Sequence, residues 1–160
     1  SVALTYNERP VFGMIYDPIL NELFYAEEGK GAFLNDKPIS LRNCEKLSNA
    51  MVSFVLAEYT LKERKKILHG MENLSEKIGS IRRFGALALD LAYCACGRFD
   101  VVISRGFKWW DVAAGILLVN QAGGSVVCHD GKQLSSQDTF CVAADKSISK
   151  QVLDLIPCFE

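Results

Sequence analysis

The fold is decided in residues 109–124, WWDVAAGILLVNQAGG, where one carboxylate opens an apolar helix. Asp111 stands at an N-cap or first-turn position, directly after two tryptophans. Behind it Val112, Gly115, Ile116, Val119 and Asn120 recur at helical spacing, and Ala113, Ala114 and Ala122 keep the helix slim. Gly123-Gly124 supplies the left-handed stop that helices favour at their C-terminal end. An acid at a helix start caps free amides and is stabilised by the macrodipole. A carboxylate held rigidly between bulky aromatics also suits Mg²⁺, which prefers hard oxygen donors on fixed supports. From this stretch alone both roles stand open for Asp111.

The whole chain has 160 residues, of which 49% are hydrophobic, enough for a single domain with a real core. Eighteen basic and 19 acidic residues leave a formal net charge of −1, so bulk electrostatics favour neither nucleic acid nor an anionic membrane surface. No apolar run reaches the length of a membrane span and no signal-peptide pattern opens the chain, which reads as soluble and cytoplasmic. The six cysteines, Cys44, Cys94, Cys96, Cys128, Cys141 and Cys158, form no C-x-x-C pair. His69 and His129 do not stand at zinc-site spacing from them, so reduced core thiols are expected. Residues 1–6, SVALTY, already read as a strand with no initiator Met, as if the polypeptide were entered in mid-fold.

The N-terminal third reads as antiparallel hairpins. Val2–Tyr6 and Val11–Tyr16 are strand-like and joined by the turn Asn7-Glu8-Arg9-Pro10, and Gly13 predicts a bulge or a close backbone approach. Asp17-Pro18 closes the second strand, Glu22–Glu27 makes a third, and Gly29-Lys30-Gly31 turns into Ala32–Asn35, with Lys37-Pro38 ending the meander. Glu27-Glu28 are expected to face solvent, because neighbours on a strand point opposite ways. Asn49–Leu56 is a further strand, and Glu58–Ile78 a helix whose run Lys62–Lys66 and His69 lie on a solvated face.

The strand Ser80–Phe84 and the helix Gly85–Gly97 follow. A glycine at a strand-to-helix junction leaves amide N–H groups free for an anion or hydroxyl, with Arg82 and Arg83 beside it; ordinary helix packing is the competing reading. Phe99–Ile103, Ser125–Cys128 and Thr139–Ala143 read as strands, and Ser147–Ile156 as a closing helix capped by Ser147. Hairpins over 1–57, then alternating strands and helices over 58–160, predict a layered α/β (α+β) fold with mixed and antiparallel sheets sandwiched with helices.

WWDVAAG, an aliphatic run, then VNQAGGSVV resembles the C-terminal signature of the inositol monophosphatase family, and the likeness extends to VFGMIYDPILNELFYAEEGKGAFLND and SIRRFGALALDLAYCACGRFD. The resemblance implies a sugar-phosphatase-like fold and a Mg²⁺-dependent, homodimeric phosphomonoesterase acting on a small phosphomonoester; the balanced charge and the lack of a spanning run lead us to expect no nucleic acid or membrane partner. It implies that Asp111 is a catalytic Mg²⁺ ligand whose other oxygen approaches substrate, and that Gly85, Ala86 and Leu87 contact substrate at a helix start. Ser104 falls where inositol-binding members carry a Glu that bonds a sugar hydroxyl, which argues against strict inositol specificity. Arg105 beside it suits an additional phosphate or another polar head group.

The family's other metal ligands, an N-terminal Glu and an Asp-Pro-Ile-Asp-Gly-Thr motif, are not in these residues. Asp17-Pro18-Ile19 continues as Leu20-Asn21-Glu22 and reads as a strand-ending turn. The expectation is therefore an incomplete fold: the C-terminal portion of a phosphatase, binding Mg²⁺ poorly and inactive alone, with apolar area exposed on its opening strands. The alternative is a degenerate, non-catalytic binding or dimerisation module with a closed surface.

Overall fold

The structure, a computed structural model, describes residues 1–56 and 60–156, with the side chains of 62–64, 66 and 67 also outside the description. Two five-stranded sheets enclose a layer of helices. The first sheet is the expected meander, with strands β1 (Val2–Tyr6), β2 (Arg9–Asp17), β3 (Glu22–Glu27), β4 (Gly31–Leu34) and β5 (Lys37–Ile39) in sequence order. Asn7 and Glu8, at φ 48° and 62°, make the two-residue link whose backbone twist matches that of the strands it joins. Asp17 does end its strand, and its Oδ1 accepts the amides of Ile19 and Leu20. β5 is a correction to the sequence reading, which stopped the meander at Lys37-Pro38. Pro38 pairs opposite Phe33 on the outermost strand, where a missing N–H donor costs nothing.

The second sheet is mixed. Its order is β7 (Ser80–Arg82), β6 (Met51–Leu56), β8 (Val101–Arg105), β10 (Phe140–Ala144) and β9 (Ser125–Val127). β6 runs parallel to β7 and β8, and β10 antiparallel to β8 and β9. Between the sheets lie α2 (Leu87–Ala95) and α3 (Trp109–Gln121), which share one core with Ile15, Phe24, Ala26 and Ala32 from the first sheet and Val102, Cys141 and Ala143 from the second. α1 (Leu61–Ser75) and α4 (Lys146–Leu155) cover the far face, where Leu74, Ile148 and Val152 meet Val52, Phe54 and Ile103. This is the layered α/β architecture expected.

α3 is the central beam. Every residue from Val112 to Val119 is buried, the signature of a helix walled in on all sides. Two glycines set its position. A Cβ on Gly13 would stand 2.9 Å from the Ala114 Cα, and one on Gly115 would stand 2.5 Å from the Leu91 Cδ1. The first sheet and α2 can therefore approach α3 closely only because both positions lack a side chain.

Several boundaries shift from the sequence reading. α2 begins at Leu87, not Gly85, because Gly85 takes φ 83° and Ala86, at φ −125° and ψ 81°, is not helical. α4 is capped by Asp145, whose Oδ1 accepts the Ser147 amide at 2.8 Å, not by Ser147 itself. Glu27 and Glu28 are exposed as expected, with Glu27 paired to Lys30, and His69 is exposed beside Glu72. Part of the charge run Lys62–Lys66 lies outside the described residues. Cys44, Cys94, Cys96, Cys128 and Cys141 are free thiols; Cys158 lies outside the described residues. No helix among the described residues is long and apolar enough to cross a membrane.

Candidate active site

α2 and α3 present their N-terminal ends to one cavity of about 530 Å³, lined by Gly85, Ala86, Leu87, Phe107, Trp110 and Asp111 among others. On the α3 side the helix start is held by a reciprocal pair of bonds. Asp111 Oδ2 accepts the Lys108 amide at 2.8 Å, and the Asp111 amide donates to the Lys108 carbonyl at 2.9 Å. Asp111 is thus a first-turn residue, as the sequence allowed, with Lys108 in the cap position. Its Oδ1 accepts no hydrogen bond among the described residues. The side chain is half-buried, and the neighbouring Trp110 is 73% exposed.

On the α2 side the cap residue is Ala86, which has no side chain able to accept the amides of the first turn. A helix start without such a side chain keeps its N–H groups available to an anion or a hydroxyl. Arg82 and Arg83 are exposed and do not line the cavity; Arg82 Nη1 donates instead to the Ile81 carbonyl at 2.9 Å.

Four of the five nominated residues, Gly85, Ala86, Leu87 and Asp111, therefore meet in one place. Ser104 does not. It is fully buried on β8, paired across the sheet with Val55, and Val55 is the residue that reaches the cavity wall. Arg105, half-buried at the end of β8, does not line the cavity either. Two further cavities, of about 430 Å³ along α3 and about 590 Å³ between β9 and α4, receive none of the nominated residues.

The sequence reading missed Phe107 and Trp110 as cavity walls and the buried Ser53–Asp90 pair that joins β6 to α2. The tryptophan pair was visible as a signal. A buried acid on α2 was not, because nothing in GALALDLAYCACG marks Asp90 as facing inward.

A Mg²⁺ centre takes several oxygen ligands converging within a few ångströms. Among the described residues no three His, Cys, Asp or Glu side chains come together in that way. Asp111 offers one carboxylate oxygen on a rigid helix start, a fit for a single ligand and not for a complete site.

A profile of the inositol monophosphatase family matches residues 1–157. Among curated relatives, a Nus factor SuhB of Xylella fastidiosa is 41% identical over 141 residues, covering 86% of this chain and 50% of the relative. An inositol-1-monophosphatase of Mesorhizobium japonicum is 34% identical over 156 residues, covering 98% of this chain and 59% of the relative. Among solved structures, the extragenic suppressor protein suhB of Bartonella henselae superposes with a TM-score of 0.91 at 34% identity, over 96% of this chain and 59% of that one. The chain thus spans between half and three fifths of the length of these relatives. With its layered fold and its family profile in agreement, the chain belongs to the inositol monophosphatase family.

Proposed function

We propose that this chain is the C-terminal portion of a Mg²⁺-dependent phosphomonoesterase acting on a small inositol or sugar phosphate. The observation that carries the reading is the meeting of the Asp111 carboxylate with the Gly85–Leu87 helix start across a single cavity. Metal and phosphate chemistry need those two elements face to face: an oxygen donor for the cation, and amide hydrogens for the oxygens of the substrate. Asp111 supplies one ligand through its unengaged Oδ1, while Oδ2 holds the helix start. The remaining ligands belong to parts of the protein outside these residues, and no chemical step is derived from this chain alone.

Ser104 presents no carboxylate to a substrate hydroxyl, and its register neighbour Val55 lines the cavity instead. The reading is therefore a phosphatase without strict inositol specificity. Exposed apolar side chains on the first sheet support a larger native fold, and buried free thiols suit a reducing cytoplasm. A homodimer is part of the same proposal. One relative being named a Nus factor favours a second reading, in which the fold serves as a non-catalytic binding or dimerisation module.

The test is phosphate release from a panel of phosphomonoesters, with and without Mg²⁺, by the 160-residue chain and by the whole gene product. Mg²⁺-dependent release by the whole product, lost in Asp111→Asn, is the expected result. Silence of the whole product across the panel sinks the phosphatase reading in favour of the module.

A further inference from the structure

Three fully buried polar side chains lie where the second sheet meets the helix layer: Ser53 on β6, Asp90 on α2 and Ser104 on β8. Ser53 Oγ donates to Asp90 Oδ1 at 2.7 Å. Asp90 Oδ2 and Ser104 Oγ are the buried side-chain oxygens without a hydrogen-bond partner among the described residues. The register pairs Ser53 with Val102 and Val55 with Ser104, so both hydroxyls rise from the same face of neighbouring strands. Leaving a buried oxygen unmatched costs on the order of 1–3 kcal/mol, so Asp90 stands where an apolar residue would pack more favourably.

What the carboxyl does there follows from its other neighbour. The Asp90 main-chain amide donates to the Ala86 carbonyl at 2.9 Å and closes the first turn of α2. Burial pushes the Asp90 carboxyl above its ordinary range, while the hydrogen bond from the Ser53 hydroxyl pulls it down. One residue thus closes the first turn with its amide and ties that turn to the sheet with its carboxyl. A cap side chain normally does this from outside the helix. With alanine in the cap position, it is done from inside.

Leu91, the next residue, packs against Gly115 of α3, the helix that begins with the Asp111 turn. The helix start that meets the ligand is therefore referenced to both the sheet and α3.

We propose that Asp90 is a positioning residue that, through Ser53 and Ala86, locks the Gly85–Leu87 turn into the conformation that faces Asp111. The ligand-binding part rests on the phosphatase reading above; the conformational part stands by itself.

Two measurements separate these parts. The first is amide hydrogen exchange by NMR at position 90, whose N–H closes the first turn of α2, without ligand, in wild type, Asp90→Ala, Ser53→Ala and Asp90→Asn. Exchange there is expected to speed up about tenfold or more in Asp90→Ala and to a lesser degree in Ser53→Ala. Asp90→Asn is expected to stay within about threefold of wild type, because the amide oxygen keeps the Ser53 bond. Unchanged exchange at position 90, or acceleration spread evenly along the chain, overturns the proposal. If Asp90→Ala does not fold, Ser53→Ala decides by the same criterion.

The second measurement is steady-state hydrolysis of p-nitrophenyl phosphate by the whole gene product. KM is expected to rise about tenfold in Asp90→Ala with kcat within about threefold, and Asp90→Asn to restore it. A fall in kcat at constant KM overturns the ligand-binding role. A wild-type product that releases no phosphate removes the phosphatase reading and leaves the decision to exchange at position 90.

Discussion

Asp111 Oδ2 holds the Lys108 amide while the proposed ligand oxygen is Oδ1, and substitution can divide the two. Asparagine keeps an acceptor for the Lys108 amide but removes the charge a cation needs. Asp111→Asn is therefore expected to leave the thermal midpoint within about 2–3 °C of wild type, a cost of a few tenths of a kcal/mol at most. The same variant is expected to lower Mg²⁺-dependent phosphate release by about 10²–10³-fold. Activity assays and a melting curve on one preparation check both halves. Two other carboxyls show how position reverses a sign. Glu22 accepts from Arg98 Nη1 at 2.6 Å, and that bond holds its pKa below the ordinary value. Its contribution to stability is present above the ordinary glutamate range, near pH 4, and fades as pH falls through the lowered value. Asp90 is shifted upward by burial, so what it contributes as a neutral acid is present at low pH and fades as pH rises through its raised value. Urea midpoints for wild type and Glu22→Gln at about pH 7 and about pH 3 test the first of these. Wild type is expected to lose more on acidification than the variant, and equal losses would show that the Arg98 pair contributes nothing.

At the scale of elements, the contact between α2 and α3 is the one with least slack. A Cβ on Gly115 would stand 2.5 Å from the Leu91 Cδ1 and 2.6 Å from its Cβ, and the Cβ cannot swing aside. Gly115→Ala is expected to cost about 1–3 kcal/mol in urea unfolding, outweighing the helix-propensity gain of alanine. A neutral or stabilising result would mean that the two helices can slide apart. This contact also shows what a sequence discloses. Apolar spacing located α3, and the hairpin strands were legible from period-two patterning and turn residues. What stayed hidden depended on partners far along the chain. Pro38 reads as a breaker until its strand is seen to be an edge, and Ser147 reads as a cap until Asp145 is seen two residues earlier. The candidate site was half legible: Gly85 and Asp111 carry local signals at helix starts, whereas Ser104 and Asp90 take their meaning from burial alone.

For the whole molecule the decisive contrast is between the two faces of the first sheet. Its inner face is closed by α3, while Val2, Leu4, Tyr6 and Tyr16 stand 58%, 62%, 70% and 48% exposed. An apolar edge strand of this kind is a template for association. The 160-residue chain is expected to self-associate with concentration in sedimentation velocity, and Leu4→Lys to shift it toward monomer. A wild-type chain that stays monomeric at high concentration would count against that face being adhesive. The central place of α3 carries a further consequence, for biosynthesis. The five described strands of the first sheet end at Ile39, yet the helix that closes their inner face begins only at Trp109. At roughly 5–20 residues per second, the ribosome needs several seconds to travel between those points. For that interval the inner face of the nascent meander lacks its covering helix, so the demand for chaperone protection comes before the residues that relieve it have been made.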